Sequence, residues 1–225
     1  AEDADALRLS GDVIDLKQAA PRDLVFLIDQ FTRLARRDIP VFWAGGAIDP
    51  SDAWPRSTPL PANVTVFPTG RLETHEVRRG EQVVAVVQGV SRSSGAGADT
   101  SEFRRDTSEA AGKEGDRVDY MALGGRSRRA TVDHEPGVAH YAGSPQGRSP
   151  ADQGPSGCSV VQLDEQGKAK TRFVATDLVR WQEEQLEFTA GVTADQLRQR
   201  LRERLDKLRG RSKGADQLIA WRLHG

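Results

Sequence analysis

The stretch Ser10-Gly11-Asp12-Val13-Ile14-Asp15-Leu16 directly follows the short apolar run Ala6-Leu7-Arg8-Leu9. A run of this kind is typical of a strand, and the Gly-Asp pair predicts the loop at the strand's carboxyl end. Ligands bind at that edge in open α/β sheets, so a carboxylate beside a glycine is well placed there to hold a metal ion. An ordinary strand-to-helix turn has the same sequence features, and this stretch alone favours the ordinary turn.

The residues after this loop predict a helix and a second strand. Pro21 suits the first turn of a helix, where its missing N–H costs nothing, and apolar residues then recur at helical spacing. Residues 39–44 are continuously apolar, as expected for a strand buried on both faces, and they end at the glycine-rich turn 45–50. Strand, helix and strand together predict a βαβ unit of an α/β fold with a right-handed crossover. The apolar stripe of the helix consists of Leu24, Leu27, Ile28, Phe31, Leu34 and Ala35.

Further strands are predicted along the rest of the chain, with one long interruption. Residues 91–117 contain a Ser/Gly/Ala run and then charged residues with few apolar ones, which predicts a mobile loop. Near the C-terminus, Thr193 and Gln196 have the spacing of a capping box that starts a helix. A strand before this helix and another at 218–223 complete a β-α-β tail. The remaining strands are predicted at 64–67, 72–77, 83–90 and 118–123, and as successive antiparallel strands at 138–142, 158–163 and 169–175.

The composition excludes several classes of protein. The 225 residues include 32 basic and 33 acidic side chains, so no global field attracts nucleic acid, and DNA binding would need a local patch. Cys158 is the only cysteine, which excludes an intramolecular disulfide, fits a reducing compartment and predicts a cytoplasmic protein. No apolar run approaches the roughly 18 residues that span a bilayer, and the acidic N-terminus predicts no signal peptide. Because the chain lacks an initiator Met and enters a strand almost at once, we expect it to begin partway into a domain.

Several separated segments, taken in order, resemble one protein family. Gly11-Asp12-Val13-Ile14-Asp15 resembles the Gly-Asp-x-x-Asp motif of calcineurin-like metallophosphoesterases, and residues 119–124 resemble the strand that leads into their Gly-His-x-His motif. Residues 141–149, which contain Gly143-Ser144-Pro145, resemble the Tyr-Pro-Gly-Ser segment of the DNA-repair exonuclease branch, the SbcD-type nuclease subunits. Residues 177–181 and the β-α-β tail are similar to that branch's exit from the catalytic domain and its capping domain.

This resemblance covers essentially the whole chain and implies a fold, a chemistry and partners. It implies a layered α/β/β/α metallophosphoesterase sandwich, N-terminally incomplete, over residues 1–178 and a small β-α-β capping-like module over residues 179–225. The family's chemistry is phosphodiester hydrolysis with two Mn²⁺-type ions, which activate a water and clamp the phosphoryl oxygens. Asp12 matches the carboxylate that bridges both metals. The implied partners are DNA, a long coiled-coil ATPase subunit and a second copy of the chain.

The other metal-binding motifs of the family are altered in this chain. The family's first motif, Asp-x-His, would lie upstream of residue 1. Its Gly-Asn-His-Asp motif corresponds to Gly45-Gly46-Ala47-Ile48-Asp49, in which the Asn and the His are absent and one residue is extra. Its Gly-His-x-His motif corresponds to Gly124-Gly125-Arg126-Ser127, and residues 90–118, where another family histidine would lie, contain none. A single carboxylate cannot fix two divalent ions, so we expect little hydrolysis by these residues.

The histidines of the chain do not restore these motifs. Lone histidines are more often structural or solvated than metal ligands. His140 is the best placed of them, because it lies directly before the matched segment at 141–149. The others are His75, His134 and His224.

Three arginines stand in the loop where the family has metal-binding imidazoles. Arg126, Arg128 and Arg129 would repel a metal pair and would hold a phosphate, and Arg148 lies nearby in the family's arrangement. These four residues predict a contact surface for phosphate or for the DNA backbone. A solvated basic turn paired with surface carboxylates fits them equally well.

Three interpretations of function follow. The first is a metal-dependent phosphoesterase of the exonuclease type, weakly active or inactive as this chain. The second is a non-catalytic protein on the same fold that binds DNA or a partner protein. The third is a truncated or recombined chain, whose missing N-terminal piece would restore the first motif and leave the other gaps.

Overall fold

The computed structural model describes residues 3–92, 119–133, 137–164, 166, 168–189, 191–209 and 214–225. These residues form a mixed α/β fold, as predicted. Apart from its first two residues, the loop predicted at 91–117 lies outside the described residues, and so does His134. No helix within the described ranges is long and apolar enough to cross a membrane. The elements are β1 (Leu7–Ser10), α1 (Pro21–Ala35), β2 (Val41–Ala44), β3 (Val64–Val66), β4 (Glu73–Arg79), β5 (Gln82–Gly89), β6 (Tyr120–Leu123), β7 (Ala130–Asp133), β8 (Val138–Tyr141), β9 (Gly157–Leu163), β10 (Ala169–Ala175), β11 (Val179–Glu187), α2 (Ala194–Arg209) and β12 (Asp216–His224).

The first βαβ unit has the predicted form. β1 and β2 pair in parallel, and β3 adds to β2 in parallel. α1 connects β1 to β2 and begins at Pro21. From its apolar stripe, Phe31 is buried against Val41 and Trp43 of β2, which identifies the face of the helix that covers the sheet. Because β1 and β2 run in the same direction, the loops that follow them meet at one edge of the sheet.

Strand β2 is buried on both faces, as its continuous apolar sequence predicts. Val41 and Trp43 point into the core under α1, whereas Phe42 points to the opposite face. There Phe42 packs with Phe67 and with Val77 and Val87 of the antiparallel hairpin β4-β5. Two hydrophobic clusters therefore pack against β2, one on each face, and they hold the strand up to its carboxyl end.

The middle strands differ from the expected order. β8 was predicted to be followed by antiparallel neighbours at 158–163 and 169–175. β9 and β10 do pair antiparallel with each other, but β8 lies in another sheet, in the order β6-β8-β7. Strand β7 is not predicted, because it is short, directly follows a loop with three arginines at 126–129 and carries little apolar signal.

The C-terminal β-α-β tail is confirmed. β11 and β12 pair in parallel over their whole length, and α2 connects them. The capping box is present, because the Gln196 side chain accepts a hydrogen bond from the Thr193 N–H at 3.0 Å and the Thr193 hydroxyl accepts one from the Gln196 N–H at 3.3 Å. Arg204 of α2 donates to the buried Glu184 carboxylate of β11 at 2.7 Å, which ties the helix to the sheet.

The chain divides into two compact units. One consists of Ala1–Gly125 with Asp133–Ala139, and the other of Arg126–Val132 with His140–Gly225. The chain passes from one unit to the other between Gly125 and Arg126, again within β7 and again within β8. The predicted boundary between residues 178 and 179 stays a prediction.

Candidate functional site

Asp49 is the most buried acidic side chain at the edge where β1 and β2 end. Its carboxylate is 1% exposed and accepts four hydrogen bonds. Oδ1 accepts from the backbone N–H groups of Asp12 at 2.8 Å and Gly46 at 2.7 Å. Oδ2 accepts from the Val13 N–H at 2.8 Å and the Trp43 indole N–H at 3.1 Å. Burial raises the pKa of Asp49 above its usual value, and these hydrogen bonds oppose that rise.

Asp12 completes a reciprocal arrangement with Asp49. Its Oδ1 accepts hydrogen bonds from the backbone N–H groups of Ala47 at 2.8 Å and Ile48 at 3.2 Å. Each aspartate therefore binds the backbone of the loop that carries the other. We call this arrangement the Asp12–Asp49 lock. Four hydrogen bonds from backbone N–H groups join the loops after β1 and β2. Two more, from the Gly46 N–H and the Trp43 indole N–H, hold the Asp49 carboxylate within β2 and its own loop.

Close backbone approach makes the Asp12–Asp49 lock possible. A Cβ atom on Gly46 would lie 2.5 Å from the Asp12 backbone nitrogen and 2.5 Å from the Asp12 Oδ1, so any larger residue would separate the two loops. Asp12 itself has a left-handed backbone, with φ of 56°, which aspartate tolerates better than most residues. Gly46 is therefore required here for a steric reason, whether or not it belongs to a functional motif.

The residues at this edge do not fit the two-metal site that the family resemblance implies. A divalent ion needs oxygen or imidazole lone pairs, but backbone N–H groups occupy both oxygens of Asp49 and one oxygen of Asp12. Asp15 is engaged as well, with the Lys17 N–H at 3.1 Å and the Gln18 side-chain amide at 2.7 Å. In the part of the chain that the structure describes, no group of three or more His, Cys, Asp or Glu side chains could hold a metal ion.

The described histidines lie elsewhere, on strands β4, β8 and β12. His75 is on β4, where its Nε2 lies 2.8 Å from the Glu73 carboxylate. His140 is 1% exposed and sits between the Thr131 hydroxyl at 3.0 Å and the Ser159 hydroxyl at 2.8 Å. Burial lowers the pKa of His140, and the positive charge of Arg129 lowers it further. His224 is the last residue of β12.

The predicted arginine surface is formed by two adjoining loops of the second unit. The loop 126–129 precedes β7, and the loop 143–152 follows β8. The Ser144 N–H donates to the Ser127 carbonyl at 2.9 Å, which joins the two loops. Gly143 has a φ of 79°, and a Cβ atom there would lie 2.8 Å from the Arg129 nitrogen, so this contact requires glycine. We call these two loops together the arginine surface.

The arginine surface presents Arg126, Arg128, Arg129 and Arg148, all of which are exposed. The Arg126 guanidinium lies 4.6 Å from the centre of the Tyr141 ring, and that of Arg129 lies 5.0 Å from the centre of the Phe173 ring. Arg128 donates to the Ala151 carbonyl at 3.2 Å. Among the described residues, no carboxylate forms an ion pair with any of the four.

Asp152 is the one acidic residue within these two loops, and its carboxylate is directed to the loop itself. It accepts hydrogen bonds from the Arg148 N–H at 3.1 Å and the Ser149 hydroxyl at 3.3 Å. Burial alone raises the pKa of Asp152, but hydrogen bonds from Arg148, Ser127 and Ser149 outweigh it, and the net pKa is lowered. Asp152 therefore stays ionised at neutral pH and serves as a fixed acceptor inside the arginine surface.

Sequence reasoning placed the arginines on one surface and missed the residues that orient them. In the sequence, Tyr141 only begins the segment 141–149, and Phe173 is one of many strand residues. Asp49 was noted only as the end of an altered motif, although an acidic residue directly after a buried strand and a glycine pair is a detectable signal. No protein-family model matches the chain, and no curated protein matches it.

Proposed function

We propose that this chain is a non-catalytic protein on a metallophosphoesterase-like fold, and that it binds the phosphodiester backbone of DNA through the arginine surface. The layered α/β/β/α arrangement, the capping role of the β-α-β tail, and the coiled-coil ATPase and second copy as partners belong to the same proposal. Their support is the ordered set of motifs and the confirmed βαβ unit and β-α-β tail.

One observation carries the DNA-binding proposal. The arginine surface has four exposed guanidinium groups, and none of them forms an ion pair with a carboxylate among the described residues. A solvated basic turn paired with surface carboxylates, the competing interpretation, would show such pairs. Four exposed guanidinium groups on two adjoining loops, against the single carboxylate of Asp152, attract a polyanion despite the near-zero net charge of the whole chain.

The Asp12–Asp49 lock supports the non-catalytic part of the proposal. Carboxylates that accept backbone hydrogen bonds keep the loops together, and in this role they do not need an ion. In the proposed function, the carboxylates at this edge of the sheet join the loops after β1 and β2, where the family resemblance implies metal ligands.

DNA binding is tested with fluorescence anisotropy on a labelled duplex at several salt concentrations. We expect the triple variant Arg126→Ser, Arg128→Ser, Arg129→Ser to bind at least about tenfold more weakly at low salt. The slope of log K against log salt should fall by about 3, because each lost phosphate contact removes roughly 0.9.

The matched control removes three exposed arginines from α1 and the turn after it, namely Arg33→Ser, Arg36→Ser and Arg37→Ser. It changes the net charge by the same amount in the other unit and should leave the affinity nearly unchanged. Equal losses in both triple variants would mean that only net charge matters, and an unchanged affinity in the first would reject the arginine surface as the contact.

A further inference from the structure

We infer that the arginine surface recognises backbone phosphates with two guanidinium groups held against aromatic rings, and that it does not stack on bases. This inference rests on the proposed DNA binding and specifies how that binding occurs. It assigns a positioning role to Tyr141 and Phe173 and separates Arg126 and Arg129 from Arg128 and Arg148.

The first ring is closed to a nucleobase. Tyr141 belongs to β8 and is 3% exposed, so no free aromatic face is left for a base. The Arg126 guanidinium lies over the ring, at 4.6 Å from its centre, and is itself exposed. A base could reach Tyr141 only by displacing Arg126 and opening the sheet around β8.

The second ring repeats this arrangement on another strand. Phe173 lies in β10, and the Arg129 guanidinium is 5.0 Å from the centre of its ring. Phe173 is half-buried, and Arg129 is exposed. Two arginines of one loop are thus oriented by rings on two strands, which restricts both side chains before any ligand binds.

The N–H groups of these two guanidinium groups are available to a ligand. Within the described ranges, no protein acceptor takes a hydrogen bond from the side chain of Arg126 or Arg129, whereas Arg128 already donates to a carbonyl. When the planar face of a guanidinium packs on an aromatic ring, its in-plane N–H groups still point outward. Two of these N–H groups can donate to two oxygens of one phosphate. Lysine has the same charge but neither the planar face nor the paired donors.

The ligand that fits is therefore a chain of phosphodiesters, bound without regard to base sequence. Proteins that bind single strands through bases expose free aromatic faces, each of which contributes strongly to affinity. In the arginine surface the Tyr141 ring is buried, the Phe173 ring is half-buried beside Arg129, and the four arginines are exposed. We assign it to the phosphate backbone of DNA.

The test compares two double variants that keep the net charge. In Arg126→Lys with Arg129→Lys, the stacked groups are lost, and we expect about tenfold weaker binding of a labelled thymidine 20-mer. The matched control, Arg33→Lys with Arg36→Lys, changes two exposed arginines of α1 and the turn after it, outside the arginine surface, and should stay within about twofold of the unmodified chain. Equal affinities of both double variants would overturn the role of stacking. Phe173→Leu, which keeps all four arginines and removes one ring, should weaken binding several-fold.

The identity of the ligand is tested with a 20-mer of the same length that carries abasic sites throughout. We expect it to bind within about twofold of the thymidine 20-mer, and a tenfold loss would show base stacking and overturn the inference. A uridine 20-mer that binds tenfold more tightly would reassign the ligand to RNA. If the unmodified chain binds none of these oligonucleotides, the proposed function itself fails, which differs from a result in which DNA binds and the lysine variants behave alike.

Discussion

At the scale of single residues, the most informative side chain is Asp49. It ends the glycine-rich segment 45–49 after β2, and its carboxylate is directed to four N–H donors. The carboxylate was visible in the sequence, but its partners were not, because three of the four donors are backbone groups and carry no residue signature. The Asp12–Asp49 lock could therefore be found only from the structure.

Replacement of Asp49 tests the structural role of the lock. In Asp49→Asn, one carboxylate oxygen becomes an NH₂ group that faces N–H donors, so at least one buried donor pair loses its acceptor. We expect the free energy of unfolding to fall by about 2–4 kcal/mol. Urea unfolding followed by tryptophan fluorescence measures this, because Trp43 is one of the donors.

The matched control for this variant is Asp52→Asn, the same chemical change at an exposed aspartate three residues further on. We expect a change within about 0.5 kcal/mol there. If Asp49→Asn were as mild as Asp52→Asn, the lock would contribute little to the stability of the edge.

At the scale of elements, the strands and helices with a clear apolar pattern were predicted, and the short strand β7 and its pairing were not. The parallel arrangement of β11 and β12 follows from a capping box and a helix between two apolar runs, all of which are contiguous in sequence. The order β6-β8-β7 involves strands that lie close together in the chain, and it was not predicted because the short strand β7 gives almost no periodic signal. A strand's partner is set by packing of faces, which a single strand's sequence does not specify.

The entry into β11 is held by a buried ion pair, which makes its stability dependent on pH. Arg180 donates to both oxygens of Asp177, at 2.7 Å and 2.9 Å, and the Asp177 side chain is 2% exposed. The hydrogen bond from Arg180 lowers the pKa of Asp177 below its usual value, and burial opposes this less strongly. A lowered carboxyl pKa stabilises the fold above the unfolded value of about 3.9, and this contribution is lost as the pH falls through the folded value.

We therefore expect Asp177→Asn to lower the free energy of unfolding by about 3 kcal/mol at pH 7, and the difference from the unmodified chain to shrink below about pH 4. Urea unfolding at pH 7, 5, 4 and 3 measures it. The control is Asp195→Asn, because Asp195 forms a pair of the same spacing with Arg198 at 2.6 Å but is 90% exposed, and its loss should have no measurable effect. A difference for Asp177→Asn that does not depend on pH would contradict the ion-pair explanation.

At the scale of the whole molecule, the net charge and the local charge of the arginine surface predict different affinities for nucleic acid. A formal net charge of −1 predicts no general affinity for nucleic acid, whereas four exposed arginines lie on two adjoining loops. The sequence predicted this surface, because three of the arginines are clustered at 126–129 and the resemblance puts Arg148 nearby. It left open whether carboxylates neutralise the arginines, since a partner in space is not visible in a linear sequence.

The question for the whole chain is whether its fold still performs the chemistry that the resemblance implies. Hydrolysis of a phosphodiester by two metals needs several open ligands, and the Asp12–Asp49 lock uses the available carboxylates for loop closure. We expect little hydrolysis of bis-p-nitrophenyl phosphate or of DNA ends in Mn²⁺, and the same low rate in Asp12→Ala. Mass spectrometry after Mn²⁺ soaking and dialysis should find no bound equivalent of metal. Robust turnover that Asp12→Ala abolishes, or two bound equivalents, would mean that the loops open to form a metal site and that the chain is an enzyme.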